Sequence, residues 1–306
     1  MVNHVRWCFN VARWEPTREE WLKLTSSIAR EELERINKFV FQDSPKSSLI
    51  GCALIRKFLT LATSTPSNDI VLTRSPRGRP EVCETYRRSQ KETWPPMFDF
   101  NVSHSGDYCV LAGVWSKRES PIIRVGVDVT KIIKKESTSE LNRFLDLMSK
   151  RPFTIDEWDT VKKATSDRQK CINFTRLWCL KESYIKAIGL GLAFNLRRID
   201  FKFSEEHNWN ISTSTLRHNM LSDTTVMLDG HPETNWRFYE TALDDEHMVS
   251  LAYNILNARK VDEVPHCHDQ FENLSINSIL ESLTPLTAAD DNDWAHFSSR
   301  SVRSSR

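Results

Sequence analysis

The run WCLKESYIK, from Trp178 to Lys186, narrows what this chain can fold into more than any other segment. Read as a helix at about 3.6 residues per turn, it places Trp178, Glu182 and Lys186 at i, i+4 and i+8. An aromatic ring, an acid and a base then share one face, and such a stripe can hold a metal and a phosphate together. Taken alone, a Glu followed by a Lys at i+4 is also the commonest ion pair on helix surfaces, contributing roughly 0.2–0.5 kcal/mol.

With 306 residues and 39% hydrophobic content the chain can bury a full core and is long enough for two small domains. Its formal net charge of +1 argues against the broad basic surface of a nucleic-acid binder. The seven cysteines, at 8, 52, 83, 109, 171, 179 and 267, are odd in number and include no C-x-x-C pair. That pattern suggests neither a disulfide framework nor a zinc ribbon, and it fits a reducing compartment. The start MVNHVRWCFN lacks a continuous apolar h-region, and no run approaches a membrane span. A soluble, cytosolic monomer is expected, with no nucleic acid and no membrane as partner.

Along the chain, Thr17-x-x-Glu20 is a capping box, and Ser44-Pro45 opens a helix with the stripe Ile50, Leu54, Phe58 and Leu61. Strands are expected at 70–73, 98–103 and 108–114, with Ser105-Gly106-Asp107 as a turn. A second group begins with VGVDV, Val125 to Val129, as a strand. Helices follow near 138–148, 154–165 (capping box Thr154-x-x-Glu157) and 170–188, then strands at 199–203, 236–239 and 248–254. Residues 257–306 turn polar and end in SSRSVRSSR, so they read as a mostly disordered tail in which Ile276, Ile279, Leu280 and Leu283 could dock one or two turns. His266-Cys267-His268 lacks ligand spacing and reads as incidental.

Asp128 ends a strand of apolar neighbours, with Gly126 leaving room for close approach. It is either a turn or capping residue or a ligand for a hard cation, and pairing it with Glu182 favours the latter, because Mg²⁺ takes one or two carboxylates and fills its sphere with phosphate oxygens and water. His104, after Asn101-Val102-Ser103, is on its own a structural histidine as readily as a ligand. Arg74-Ser75-Pro76-Arg77-Gly78-Arg79-Pro80 concentrates three guanidiniums around a glycine-containing loop, and is either a solvated basic loop or a phosphate site. Arg35, in EELERINKF, is by pattern an ordinary helix-surface residue.

FDFNVSHSGDYCVLAG (Phe98 to Gly113), VGVDV and WCLKESYIK, in this order and spacing, resemble the signature of Sfp-type 4′-phosphopantetheinyl transferases. EELERINKFVF and RSPRGRP add weaker matches, and within that family the chain resembles the eukaryotic phosphopantetheinyl transferases of L-aminoadipate-semialdehyde dehydrogenase. The resemblance runs from about Trp7 to about Tyr253. It implies an α+β fold of two similar halves related by a pseudo-twofold, with the active site in the cleft between them: residues 1–118, then 119–256 carrying the metal and catalytic residues, with 257–306 as the tail.

The resemblance further implies transfer of 4′-phosphopantetheine from coenzyme A to a serine of acyl or peptidyl carrier proteins, such as those of fatty acid synthase, with release of adenosine 3′,5′-bisphosphate. The activity implied is that of a holo-[acyl-carrier-protein] synthase. Mg²⁺ would be held by Asp128 and Glu182; Glu182 would take the serine proton; Lys186 would hold phosphate oxygens. Coenzyme A contacts would come from Arg35, from Arg74, Ser75, Pro76, Arg77, Gly78 and Arg79, from Asn101, Val102, Ser103 and His104, and from Glu182, Ser183, Tyr184, Ile185 and Lys186. Two departures stand out: Thr130 where many members carry a second acid, replaced as a ligand by water, and Ser105 where some carry Gln. Lys181 projects about 100° from Glu182 and is less expected at the site. Carrier docking is assigned either to Lys131, Lys134, Lys135, Lys150 and Arg151 or to none of them, the residues then being a solvated face. Other classes that such residues would suit are a Mg²⁺-dependent phosphohydrolase of a nucleotide diphosphate and a non-catalytic coenzyme A-binding protein.

Overall fold

Packing divides the chain into two units that alternate along the sequence, so no single cut at 118/119 separates them. The computed structural model describes residues 2–118, 121–148, 152–204, 211–256 and 269–301. One unit comprises Asn3–Phe98, Val102–Glu119 and Glu272–Arg306; the other comprises Met1–Val2, Asp99–Asn101 and Ser120–Phe271. Each mixes helices with sheet, the expected α+β class.

The first unit contains β1 (Asn3–Asn10), α1 (Arg18–Ser26), α2 (Arg30–Asn37), α3 (Asp43–Thr63), the hairpin β2 (Leu72–Arg74) and β3 (Pro80–Val82), and α4 (Glu84–Ser89). Strands β4 (Met97–Ser105, of which Asp99–Asn101 group with the other unit) and β5 (Tyr108–Ser116) follow. The capping box at Thr17 forms as expected, the Thr17 hydroxyl accepting from the Glu20 N–H. Helix α3 turns Ile50, Leu54 and Phe58 into the core, while Leu61 remains 48% exposed. It lies against β5. Gly113 makes this approach possible, because a Cβ there would come within 2.3 Å of the Phe58 ring.

The polar C-terminal segment is folded where it is described, which corrects the expectation of disorder for residues 269–301. Strand β12 (Glu272–Asn273) adds in parallel to β1, so that the sheet runs β12-β1-β5-β4. Helices α9 (Ile276–Leu280) and α10 (Asp291–Ser298) follow, started by Ser275 and Asp290 caps. Its few apolar residues are placed where they count: Leu274, Ile279, Leu280, Leu283 and Phe297 are all buried. Phe297 stacks on Trp21 at 3.7 Å between ring centroids. Mean composition missed this because a docked strap needs only one apolar residue every few positions. Residues 257–268, with His266-Cys267-His268, and 302–306 lie outside the described residues.

The second unit contains β6 (Ile122–Lys131), α5 (Thr138–Met148), α6 (Ile155–Lys162), α7 (Asp167–Ile188) and β7 (Ile199–Lys202). After these come α8 (Thr213–His218), β8 (Thr225–Leu228), β9 (His231–Pro232), β10 (Trp236–Ala242) and β11 (His247–Leu256). One antiparallel sheet runs β10-β11-β6 and a smaller one β7-β8-β9. Helix α7 crosses the larger sheet against β6 and β11. At Gly126 the two backbones nearly touch: an added Cβ would lie 1.9 Å from the Ser183 carbonyl oxygen and 2.5 Å from the Ala187 nitrogen. No helix among the described residues is long and apolar enough to cross a membrane. No disulfide joins Cys8, Cys52, Cys83, Cys109, Cys171 or Cys179.

Two substitutions test these contacts. Gly126→Ala pushes a methyl group into helix backbone that cannot rotate away, so it should cost about 3 kcal/mol in denaturant unfolding, the top of the usual overpacking range; a variant as stable as wild type would show that α7 does not sit this close. Phe297→Ala should cost about 3 kcal/mol by removing a buried ring, whereas a detached tail would lose nothing.

Candidate active site

Asp128 lies on β6, opposite Ser250 of β11, with its side chain buried beneath α7. Both carboxylate oxygens are engaged. Lys186 Nζ donates to Oδ1 at 2.7 Å and to the Val127 carbonyl at 3.2 Å. On the other side, Thr130 Oγ1 donates to Oδ2 at 2.7 Å and the Cys179 thiol does so at 3.3 Å. Burial, and then the neighbouring Asp128 charge, push the Cys179 thiol well above its usual range, so it stays protonated and can donate. Thr130 thus orients the acid two residues before it, on the same face of the strand. Neither Thr130 nor Cys179 was assigned this contact from sequence. For Thr130 the period-two alternation held the clue; for Cys179 nothing did, because its partner is on another element.

Glu182 is half-buried one turn before Lys186. Its carboxyl is raised above the ordinary range by burial first and by the Asp128 charge second, with Lys186 partly offsetting both. A carboxyl whose proton affinity is raised by a second carboxylate beside it belongs to a donor set that a hard cation would relieve. Among the described residues no group of three or more His, Cys, Asp or Glu side chains could hold a metal ion by itself. The pair therefore fits a Mg²⁺ whose remaining ligands are water and phosphate oxygens.

The rest of the helical motif points elsewhere. Ser183, Tyr184 and Ile185, expected among the coenzyme-facing residues, have core side chains: Ser183 Oγ meets Ser250 Oγ at 3.1 Å and Tyr184 stacks on Trp236 at 4.1 Å. At about 100° per residue, Glu182 and Lys186 share the Asp128 face with Cys179 one turn earlier, while Tyr184 and Ile185 turn away from it. Trp178 stacks on Phe174. Lys181 is fully buried, its ammonium 2.8 Å from Glu157 and bonded to the carbonyls of Leu196 and Ile199. Glu157 also closes the Thr154 capping box, so one carboxylate ties α6, α7 and β7 together. In the same unit, Asn101 uses its Oδ1 to accept from the Val127 N–H at 3.2 Å, bracing the strand that carries Asp128.

In the α3 unit, Arg74 to Pro80 forms the tip of the β2–β3 hairpin. The Gly78 N–H donates to the Ser75 carbonyl at 2.8 Å, and Ser75 Oγ accepts from the Arg79 N–H at 3.1 Å. Pro76 at the second turn position and Gly78 at φ 84° fit a type I turn closed by a left-handed residue. Arg77 is exposed and Arg79 half-buried. Arg35 on α2 meets the same place through Glu32, which accepts from Arg35 Nη2 at 3.1 Å and from Arg74 Nη2 at 2.7 Å. Glu32 was not expected at the site; its signal was only the i, i+3 spacing to Arg35. His104 is exposed and Ser103 buried; His104 lines a cavity of about 320 Å³ with Ser105, Asp43, Ser44, Lys46 and Ser47. Lys46 was also missed from sequence; burial lowers the pKa of its ammonium despite Asp43 and Glu15. Val102 faces Gly51 of α3.

Of the basic residues considered for docking, Lys131 and Lys134 both pair with Glu246, and Lys135 lies over the Phe144 ring. Lys150 and Arg151 fall outside the described residues.

Residues 12–116 match the family described as 4′-phosphopantetheinyl transferase, N-terminal, and residues 124–252 match the 4′-phosphopantetheinyl transferase superfamily. The chain is 35% identical over 299 residues to the L-aminoadipate-semialdehyde dehydrogenase-phosphopantetheinyl transferase of Homo sapiens, covering 96% of this chain and 90% of the human protein. That similarity extends into the segment after Asn257, beyond the limit at Tyr253 expected from the motifs. A phosphopantetheinyl transferase of Thraustochytrium is 32% identical over 80% of this chain and 77% of its own length. A 4′-phosphopantetheinyl transferase of Bacillus pumilus is 27% identical over 62% and 70%.

The charge cluster on α2 makes a pH-dependent prediction. Burial pushes the Glu32 carboxyl up, but Arg74 and then Arg35 outweigh that push and hold it below the ordinary range. A carboxyl lowered in the fold adds stability above its unfolded pKa, and the gain is lost as pH falls through the folded one. The loss should therefore fall below about pH 4.3, the free glutamate value. The Glu32 Cδ resonance should titrate below free glutamate, and Arg74→Gln should move its midpoint up; a wild-type midpoint at the free value would show that the fork does not hold in solution.

Proposed function

The chain belongs to the 4′-phosphopantetheinyl transferase superfamily, and from that membership we propose that it transfers 4′-phosphopantetheine from coenzyme A to a serine of acyl or peptidyl carrier proteins. Domains like those of fatty acid synthase would be converted from apo to holo form, the activity of a holo-[acyl-carrier-protein] synthase. The serine Oγ forms a bond to the β-phosphorus of coenzyme A, the bond from that phosphorus to the bridging oxygen breaks, and adenosine 3′,5′-bisphosphate leaves. The observation that carries this reading is the convergence of Asp128, Glu182 and Lys186 where β6 meets α7.

Phosphoryl transfer of this kind depends on positioning and charge stabilisation more than on covalent chemistry from the protein. Mg²⁺, held by Asp128 and Glu182, would supply charge neutralisation on the diphosphate. Asp128 is suited to a fixed ligand role because Lys186, Thr130 and Cys179 hold its carboxylate in one orientation. Glu182, whose proton affinity is raised, would accept the serine proton directly or through water. Lys186 reaches the same carboxylate and would carry positive charge to the phosphate oxygens. Arg35, Arg74, Arg77, Arg79 and His104 supply the concentrated positive charge and hydrogen-bond donors that a diphosphate and a 3′-phosphate require. The cysteines suit the reducing cytosol as the working compartment, and a monomer suffices for every residue named.

An acidic carrier protein would dock on a partly basic surface. Lys131 and Lys134 already meet Glu246, so they offer less charge to a partner than their number suggests.

Intact mass spectrometry of an apo carrier protein incubated with the enzyme, coenzyme A and Mg²⁺ tests the reading: the carrier should gain one phosphopantetheine. Glu182→Gln keeps the shape and removes the charge, so kcat should fall by at least about 10²-fold. Near-normal turnover in that variant would sink the assigned role. Hydrolysis of coenzyme A with the carrier unmodified would point to a phosphohydrolase instead.

A further inference from the structure

Arg74 stands among the coenzyme-binding residues proposed above, yet most of its donors face the protein. A guanidinium carries five N–H donors in a rigid fork. Here Nε and Nη2 donate to the two carboxylate oxygens of Glu32, and Nη1 donates to the Gly78 carbonyl. One planar group thereby ties helix α2 to the far side of its own hairpin tip. The same Glu32 carboxylate accepts from Arg35 Nε at 3.3 Å and Nη2 at 3.1 Å, and lies 3.8 Å from the Cys52 sulfur on α3. Three elements therefore meet on a single acid. The Arg74 and Glu32 side chains are 30% and 24% exposed, and it is the two-point fork that gives this pair a fixed geometry which a single-point surface ion pair lacks.

We propose that Glu32 is a positioning residue of the coenzyme A site, acting through Arg74 as a strut that sets the hairpin tip and Arg35 relative to one another. The proposal rests on the coenzyme A reading and deepens it. A carboxylate bonded to the two guanidinium groups of Arg35 and Arg74 would, by charge alone, weaken phosphate binding. It can favour binding only by ordering the cations before the ligand arrives, so that less freedom is lost on association. Arg77 and Arg79, carried on the braced tip, and Arg35 on α2 are then the groups turned to the phosphates, while Arg74 works through the loop.

Calorimetric titration of coenzyme A, together with kcat and KM for carrier modification, tests this. Glu32→Gln should raise Kd and KM for coenzyme A roughly five- to tenfold, and leave kcat at saturating coenzyme A within about twofold. Glu32→Asp, which keeps the charge, should recover most of the loss. Arg74→Lys, which keeps charge but loses the fork, should weaken binding as Glu32→Gln does, and serves in its place if the Gln variant fails to fold. The double variant Glu32→Gln, Arg74→Gln should be no weaker than the poorer single, because both remove one strut. Tighter binding in Glu32→Gln would mean that the carboxylate only competes with phosphate, and would overturn the proposal. Unchanged affinity, or fully additive losses in the double variant, would overturn it as well while wild-type binding leaves the coenzyme reading standing. A wild-type protein that does not bind coenzyme A would remove both.

Discussion

The contact between the backbone of β6 at Gly126 and the backbone of α7 at Ser183 and Ala187 is the constraint on which the catalytic group depends. A helix carrying ordinary side chains would ride higher above the sheet. Because Gly126 removes the Cβ and Ala187 adds only a methyl, α7 drops onto the strand and brings Lys186 within 2.7 Å of Asp128, two residues along β6. The thiol of Cys179, one turn before Ser183 on the contacting face, reaches the other oxygen of the same carboxylate. A glycine on a strand thus decides what a carboxylate two residues later can touch.

Buried charge holds α7 in that position from its other sides. Lys181 meets Glu157, and Arg176 forms a fork with Glu240 at 2.6 and 3.0 Å, both pairs being almost fully buried. Such pairs are a weak source of net stability, because desolvation offsets most of their attraction. Their geometric demand is strict, since a carboxylate left without its partner in the core is costly. Helix α7 could not rotate or slide by a residue without stranding Lys181 and Arg176, and that same rotation would carry Glu182 and Lys186 away from Asp128. In the α3 unit the equivalent order comes from Glu32, which gathers Arg35 and Arg74, and from the C-terminal strap. Arg300 of that strap donates to the Asn37 carbonyl, and its own carbonyl accepts from Gln42. The strap therefore closes over the end of α2, the helix that carries Arg35.

Much of this was legible in the chain. The capping boxes at Thr17 and Thr154, the long helices and the strands around Asp128 were read correctly, because they depend on side-chain periodicity and on hydrogen bonds within three residues. Strand β1 and the C-terminal strap were not, since each is stabilised by partners far away in sequence, and of the short hairpins only strands β2 and β7 were read. Trp7 and Glu272, which bond across the β1–β12 edge, are an example. The strap misled most: its low apolar content suggested disorder, whereas Leu274, Ile279 and Phe297 were enough once the β1 edge and the Trp21 ring stood ready to receive them.

At the candidate site the division is similar. The sequence by itself carried the motifs whose resemblance implied the family and its α+β class, and it placed Asp128, Glu182 and Lys186 as charged residues of those motifs, because spacing along a helix and a strand follows from covalent geometry alone. Tertiary structure decided what each charge meets. Lys181 and Lys186 are both lysines of one motif, yet one is sealed against Glu157 and the other reaches Asp128. Glu32, Thr130 and Cys179 acquire their roles only from neighbours on other elements or across a strand face. Local spacing fixes where a side chain starts, but the distance and dielectric that set its electrostatics come from the packing of segments the sequence keeps far apart.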